Sequence, residues 1–80
     1  MKIAVIGLGF VGLTLSSVLA SKGITTVGID LDKEKCSKIA KGTPTFFEQD
    51  LKKTLKKALK KNLLIQENIY YINNCNLIFI

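Results

Sequence analysis

Three glycines near the start of the chain constrain its fold more than any other feature. Gly7, Gly9 and Gly12 follow the pattern G-x-G-x-x-G. Residues 3–6, directly before them, form an unbroken apolar run of the length typical of a strand that is buried on both faces. Apolar residues then recur at helical spacing up to Gly23, a residue type that commonly ends helices. The pattern therefore predicts a strand, a glycine turn and a helix in immediate succession.

Each glycine of this turn has a predicted role. Gly7 permits the tight turn off the strand, Gly9 lets a ligand approach the backbone, and Gly12 lets the helix pack closely on the strand. The first N–H groups of a helix have no partner within it and carry the positive end of its dipole, so the turn suits a pyrophosphate. We include Phe10 and Val11, which start the helix, in this predicted cofactor site. The succession of strand, turn and helix favours dinucleotide binding over an unrelated glycine-rich turn.

An acidic residue stands at the end of the second predicted strand. Residues 24–30 are rich in β-branched side chains, and Asp30 follows the glycines by roughly the 20 residues expected of a dinucleotide fingerprint. A carboxylate there would accept hydrogen bonds from the hydroxyls of an adenosine ribose, the alternative being a helix cap or a solvated acid. Asp32 is predicted to cap the second helix. Lys35 in its first turn could lean over the same ribose, although a surface lysine is an equally good interpretation of the spacing.

The remaining elements alternate between helical and strand patterns. Helices are predicted over 10–22, 33–41 and 48–61, strands over 63–66 and 77–80, and a short helix or turn over 69–73. This order predicts an α/β fold of Rossmann type, with a parallel sheet of strand order 3-2-1-4 and helices on both faces. Residues 1–80 would then be the first half of a dinucleotide-binding domain plus one strand, with the remainder of that domain and a catalytic domain absent.

The apolar positions of each helix predict its inner face. They are Leu13, Leu15, Val18 and Leu19 in the first helix, Cys36, Ile39 and Ala40 in the second, and Leu51, Leu55, Ala58 and Leu59 in the third. Three pairs of lysines, from Lys52 to Lys61, occupy the other side of the third helix. We predict that this basic face is solvated.

Charge and cysteine usage narrow the function classes. The net charge is +6, and all 12 basic residues are lysines, whereas arginine is the preferred residue for reading bases. We therefore expect no nucleic-acid partner. No apolar run approaches the roughly 18–20 residues of a membrane span, so we expect a cytoplasmic protein without a membrane partner. Cys36 and Cys75 lack metal-ligand spacing and the chain has no histidine, so we predict neither a metal site nor a catalytic residue.

With these motifs in view, the whole chain resembles the N-terminal cofactor domain of the UDP-glucose/GDP-mannose dehydrogenase family. The step Phe10-Val11-Gly12-Leu13 and the loop from Gly42 to Leu51 are its most specific parts. The other matching stretches are Met1–Phe10, Val27–Asp32 with Lys35, Lys41-Gly42, Pro44, Phe47-Glu48 and Asn76–Ile80. Two departures stand out: Glu48-Gln49-Asp50-Leu51 replaces the usual Glu-Pro-Gly-Leu, and Asn76 replaces an acid.

The resemblance implies an NAD-dependent enzyme of polysaccharide biosynthesis. Such enzymes oxidise the C6 alcohol of a UDP- or GDP-sugar to a carboxylate with two NAD per turnover, and we expect a homo-oligomeric parent. The resemblance implies Gly7–Gly12 as the pyrophosphate turn, with Asp30 and Lys35 as contacts to the adenosine ribose. The nucleotide sugar would bind through absent domains, and the family's catalytic residues lie beyond residue 80. We therefore predict that the 80 residues alone are inactive.

Three other interpretations compete with this one. Another NAD-dependent dehydrogenase, of the 6-phosphogluconate or 3-hydroxyacyl-CoA type, shares the opening motif but more often has Met-Gly at Val11-Gly12. A non-catalytic nucleotide-sensing module shares the glycines and the strand-end acid but lacks the proline loop and the long lysine-rich helix. The third is a truncated product that binds nothing well, which measurements of folding and cofactor binding would identify.

Overall fold

The computed structural model describes residues 1–46 and 48–80 of the chain. Its centre is one parallel sheet of four strands, β1 (Lys2–Ile6), β2 (Thr25–Ile29), β3 (Leu63–Gln66) and β4 (Leu77–Phe79). The strand order is β3-β2-β1-β4, which confirms the predicted order. The apolar strand β1 therefore lies inside the sheet, between β2 and β4.

Three α-helices and one 3₁₀ helix connect the strands. They are α1 (Phe10–Ser21), α2 (Lys33–Ala40), α3 (Gln49–Leu59) and the 3₁₀ helix (Ile69–Asn74). Every predicted element is present, with ends that differ from the predicted ones by no more than two residues. Phe47, which belongs to the family resemblance, lies outside the described residues.

Local sequence sets the helix ends. Gly23 and Gly42 follow α1 and α2 at φ +95° and +86°, a conformation that glycine adopts without steric cost. Asp32 caps α2, because its carboxylate accepts the N–H of Lys35 at 3.0 Å. Glu48 caps α3 in the same way, accepting the N–H of Asp50 at 3.2 Å.

The Asn76 side chain ties the start of β4 to the start of β1. Its Oδ1 accepts the N–H of Lys2 at 2.8 Å, and the Asn76 backbone N–H donates to the Lys2 carbonyl at 2.7 Å. The side-chain amide thus supplies the acceptor that a carboxylate would offer at this position.

Each face of the sheet carries its own core. The three α-helices share one core, formed by Leu8, Leu13, Ala20, Ile39, Leu51, Leu55, Ala58 and Leu63. On the opposite face, Ala4, Val27 and Ile29 pack against Ile72 of the 3₁₀ helix and against Cys75. Helices therefore cover both faces as predicted, and among the described residues the short 3₁₀ helix covers the second face.

The predicted inner face of α1 is partly wrong. Ser16, Ser17 and Ala20 are buried, whereas Val18 is 36% exposed. The reason is that α1 packs against α3, and small side chains allow two helices to approach closely. Ala40, predicted to face inward on α2, is also exposed.

The lysines of α3 lie on its exposed side, as predicted. In the part of the chain that the structure describes, none of the helices has the length and apolar composition needed to cross a membrane.

Candidate cofactor site

The glycine turn and the strand-end acid meet at the carboxyl edge of the sheet. The Gly7 N–H donates to the Ile29 carbonyl at 2.7 Å, which fastens the end of β1 to the end of β2. One residue further along each segment, the Leu8 N–H donates to Asp30 Oδ2 at 2.8 Å. Two sequence-predicted parts of the site, 22 positions apart at this contact, are thereby joined directly.

The three glycines of the turn meet different steric demands. Gly7 has φ +92°, a backbone conformation that residues other than glycine rarely adopt. A Cβ on Gly12 would lie 1.9 Å from the Gly7 carbonyl oxygen, so only glycine fits there. A Cβ on Gly9 would meet no atom within 4 Å. The backbone at Gly9 is therefore open to approach from outside.

The first turn of α1 presents unused N–H groups beside this opening. The first bond within the helix runs from the Leu13 N–H to the Gly9 carbonyl at 2.9 Å. The preceding N–H groups, of Phe10, Val11 and Gly12, find no acceptor among the described residues. Gly9 supplies no side-chain cap, and the first turn of α1 holds no acidic residue. These donors and the helix dipole suit an anion.

Two cavities flank the turn. One of about 500 Å³ is lined by the glycine turn together with Phe10, Leu15 and Phe79. The other, of about 360 Å³, is mostly apolar and is lined by Ile29, Asp30, Leu31 and Ile69. Because Gly7 borders both, a ligand that runs past the turn can reach each of them.

Asp30 is ionised and already holds three donors. Besides the Leu8 N–H, its carboxylate accepts the Asp32 N–H at 3.0 Å and Lys35 Nζ at 3.4 Å. Burial raises the pKa of Asp30, but the backbone hydrogen bonds and the charge of Lys35 outweigh it and leave the pKa below its usual value. A carboxylate offers about four acceptor sites, so one remains, on Oδ1.

The structure brings Lys35 to the predicted site. The ion pair with Asp30 holds its ammonium group at the end of β2, with 28% of the side chain exposed. All seven sequence-predicted residues therefore lie around one edge of the sheet: Gly7, Gly9, Phe10, Val11, Gly12, Asp30 and Lys35.

Leu31 and Ile69 line the apolar cavity beside Asp30, and sequence reasoning missed both. Leu31 is 80% exposed, and such a large apolar side chain directly after the strand-end acid is the signal that could have identified it.

Cys36 lies near the same end of β2, where its thiol donates to the Asp30 carbonyl at 3.2 Å. Burial raises the pKa of this thiol, as expected of a structural cysteine.

A parallel sheet, a glycine turn at a helix N-terminus and an acid at the end of the second strand together define a dinucleotide-binding domain. Comparison with protein families shows which dinucleotide-binding family this domain comes from. The chain belongs to the UDP-glucose/GDP-mannose dehydrogenase family, whose NAD-binding domain model matches residues 1–80. NAD is therefore the cofactor of this domain.

The chain is also similar to individual proteins and to solved structures. An uncharacterized protein of Methanocaldococcus jannaschii is 38% identical over 80 residues, or 100% of this chain and 9% of that protein. A UDP-N-acetyl-D-mannosamine dehydrogenase of Methanococcus aeolicus is 38% identical over 64 residues, covering 80% of this chain and 15% of the relative. The solved structure of the UDP-D-ManNAc dehydrogenase from Pyrococcus horikoshii matches with a TM-score of 0.92 and 32% identity, over 98% of this chain and 19% of that one. The chain thus spans less than a fifth of the length of these relatives.

Proposed function

We propose that these 80 residues hold the adenosine and pyrophosphate parts of NAD in a nucleotide-sugar 6-dehydrogenase. Such an enzyme oxidises the C6 alcohol of a UDP- or GDP-sugar to a carboxylate with two NAD per turnover. The observation that carries the proposal is the 2.8 Å bond from the Leu8 N–H to Asp30, because it joins the anion-binding turn to the ribose-binding acid. Family membership supports the same cofactor.

The pyrophosphate would lie against the first turn of α1. The N–H groups of Phe10, Val11 and Gly12 can each donate to a phosphate oxygen, and the helix dipole favours its negative charge. The open space at Gly9 lets the phosphate reach these donors, since no Cβ stands in the way.

The adenosine would extend from the turn past the end of β2. Asp30 Oδ1 can accept one ribose hydroxyl at its remaining site. A second hydroxyl can displace Lys35, whose 3.4 Å contact is the longest of the three that the carboxylate makes. The apolar cavity of about 360 Å³ between Leu31 and Ile69 suits the adenine ring, whose flat faces are apolar.

These residues bind and orient the cofactor, and we assign none of them to catalysis. NAD, when bound, accepts the hydride from the sugar alcohol. Cys36 is buried with a raised pKa, and Cys75 packs against the second core, so both cysteines serve the fold. The sugar site and the rest of the dinucleotide domain would come from sequence outside these 80 residues, which fits a chain that spans 9% to 19% of its relatives.

The family match favours this function over the alternatives. It spans the proline loop and the lysine-rich helix α3, which set the chain apart from the 6-phosphogluconate and 3-hydroxyacyl-CoA types and from nucleotide-sensing modules.

Gly9→Ala tests the proposal. Gly9 has φ −69°, which any residue adopts, and its Cβ position is open, so we expect the variant to fold as the wild type does. The added methyl group would stand where the pyrophosphate approaches. We expect the NAD affinity, measured by calorimetric titration, to fall at least about tenfold.

Asn73→Ala is the control, because Asn73 is exposed and borders Lys2 at the other end of β1. Its NAD affinity should equal that of the wild type. Equal NAD affinity in Gly9→Ala and the wild type, or no NAD binding by the wild-type chain, contradicts the proposal.

A further inference from the structure

An aromatic contact links the glycine turn to a distant loop. The ring of Phe46, from the loop between α2 and α3, lies edge-on against the ring of Phe10, with centroids 5.7 Å apart and an interplanar angle of 81°. This is the geometry that aromatic pairs prefer. Phe10 is 49% exposed and Phe46 is 37% exposed, so neither ring is simply part of the core.

Phe10 is the first residue of α1, in the turn whose N–H groups are proposed to bind the cofactor. Its N–H is one of the unused groups of the first turn, and its ring borders the cavity of about 500 Å³. The side-chain hydrogen bond that often fixes a helix start is missing here, because the cap position is Gly9. The contact with Phe46 therefore restrains this helix start from outside.

The loop that carries Phe46 is fastened on both sides. At its beginning, the Thr43 N–H donates to the Lys38 carbonyl at 3.0 Å, which ties it to the last turn of α2. At its end, Glu48 caps α3, and Leu51 is 3% exposed in the core. The segments on either side of Phe46 are thus anchored to α2 and α3.

We propose that Phe46 is a positioning residue for the dinucleotide site. Its edge-on contact holds Phe10, and with it the N–H groups of the first turn of α1, in the orientation that a pyrophosphate requires. Phe46 itself acts through Phe10 rather than on the cofactor. The inference rests on the proposed function, since it assigns a residue to the same NAD site.

The experiment compares Phe46→Ala with Phe46→Tyr, which keeps the ring, in the 80-residue chain. Tyr70→Ala is the matched control, because Tyr70 is a 75% exposed aromatic residue that borders Lys2 at the start of β1. We expect calorimetric titration to show NAD affinity about 3- to 10-fold lower in Phe46→Ala, a loss that corresponds to one aromatic pair. Phe46→Tyr and Tyr70→Ala should bind NAD as the wild type does.

A double-mutant cycle separates positioning from a general loss of structure. If Phe46 acts through Phe10, the losses in NAD affinity of Phe10→Ala and Phe46→Ala will not add in the double variant. Additive losses, or unchanged NAD affinity in Phe46→Ala, refute the positioning role and leave the proposed function standing. No NAD binding by the wild-type chain refutes the proposed function instead.

Amide hydrogen exchange tests the restraint without any cofactor. The Leu13 N–H closes the first turn of α1 on the Gly9 carbonyl, so its exchange rate reports how firmly that turn is held. We expect faster exchange of this amide in Phe46→Ala than in Tyr70→Ala. Equal rates in the two variants overturn the inference whatever the NAD titration gives.

Discussion

In the proposed binding mode, the Asp30 carboxylate would place like charge beside a 2′-phosphate on the adenosine ribose. The carboxylate is ionised, and its hydrogen bonds to the Leu8 and Asp32 N–H groups hold it in place. Lys35 softens this repulsion, but it reaches the site on a flexible stem, with a 3.4 Å contact to the carboxylate. We therefore expect the acid to dominate the choice between NAD and NADP.

We predict that the wild-type chain prefers NAD to NADP by at least about tenfold. A hydrogen bond to a charged group contributes roughly 1.5–3 kcal/mol, and 1.4 kcal/mol corresponds to a factor of ten. Calorimetric titration of both cofactors into the wild type, Asp30→Asn and Asp30→Ala measures the ratio. Asp30→Asn keeps an acceptor for the Leu8 N–H but loses the charge and the acceptor for the Asp32 N–H, so its preference for NAD should fall. An unchanged ratio in both variants would mean that Asp30 serves only the structure of the turn.

At the scale of single elements, α1 contains a position where a substitution should stabilise the fold, although the sequence alone does not indicate it. The hydroxyl of Ser17 is buried and has no hydrogen-bond partner among the described residues. A buried unpaired hydroxyl costs about 1–3 kcal/mol, and alanine also has the higher helix propensity. We expect Ser17→Ala to raise the free energy of unfolding by about 1 kcal/mol and the melting temperature by roughly 4–8 °C.

Ser16→Ala provides a matched control one residue away. Ser16 is equally buried, but its hydroxyl donates to the Leu13 carbonyl at 3.1 Å. Removing that hydroxyl deletes a hydrogen bond, so we expect no stabilisation in thermal melting. An equal gain in both variants would mean that helix propensity alone explains the effect of Ser17→Ala.

The same helix illustrates what the sequence could predict and what it could not. Hydrophobic periodicity located the α-helices, because burial on one face imposes a period on the apolar residues, and apolar or β-branched runs located the strands. It failed for Val18 and Ser17, since periodicity follows hydrophobicity whereas a close helix contact selects for small size. The glycines and Asp30 could be predicted because their chemistry lies in short motifs. Phe46 and Ile69 belong to a loop and a 3₁₀ helix that have no such pattern, and only the fold brings them to the site.

At the scale of the whole molecule, the two edges of the sheet are unequal. β4 is an edge strand that pairs with β1. Its residues Leu77, Ile78 and Phe79 point alternately to opposite faces of the sheet, yet each is 40% to 46% exposed. On β3, at the other edge, Leu63 is buried under the helices and Leu64 is 49% exposed. An apolar edge that is open on both faces favours pairing with another strand.

We predict that the 80-residue chain on its own self-associates through β4. A net charge of +6 opposes association, but residues 76–80 carry no charged side chain. The substitution Ile78→Lys would place a charge in the middle of the β4 edge strand and should block its pairing with a strand of another molecule. Sedimentation velocity should therefore show oligomers for the wild type and a monomer for Ile78→Lys. Leu64→Lys, the same kind of change on the opposite edge, should associate as the wild type does. A wild-type chain that stays monomeric at high micromolar concentration, or association that Leu64→Lys abolishes and Ile78→Lys does not, would contradict the assignment to β4.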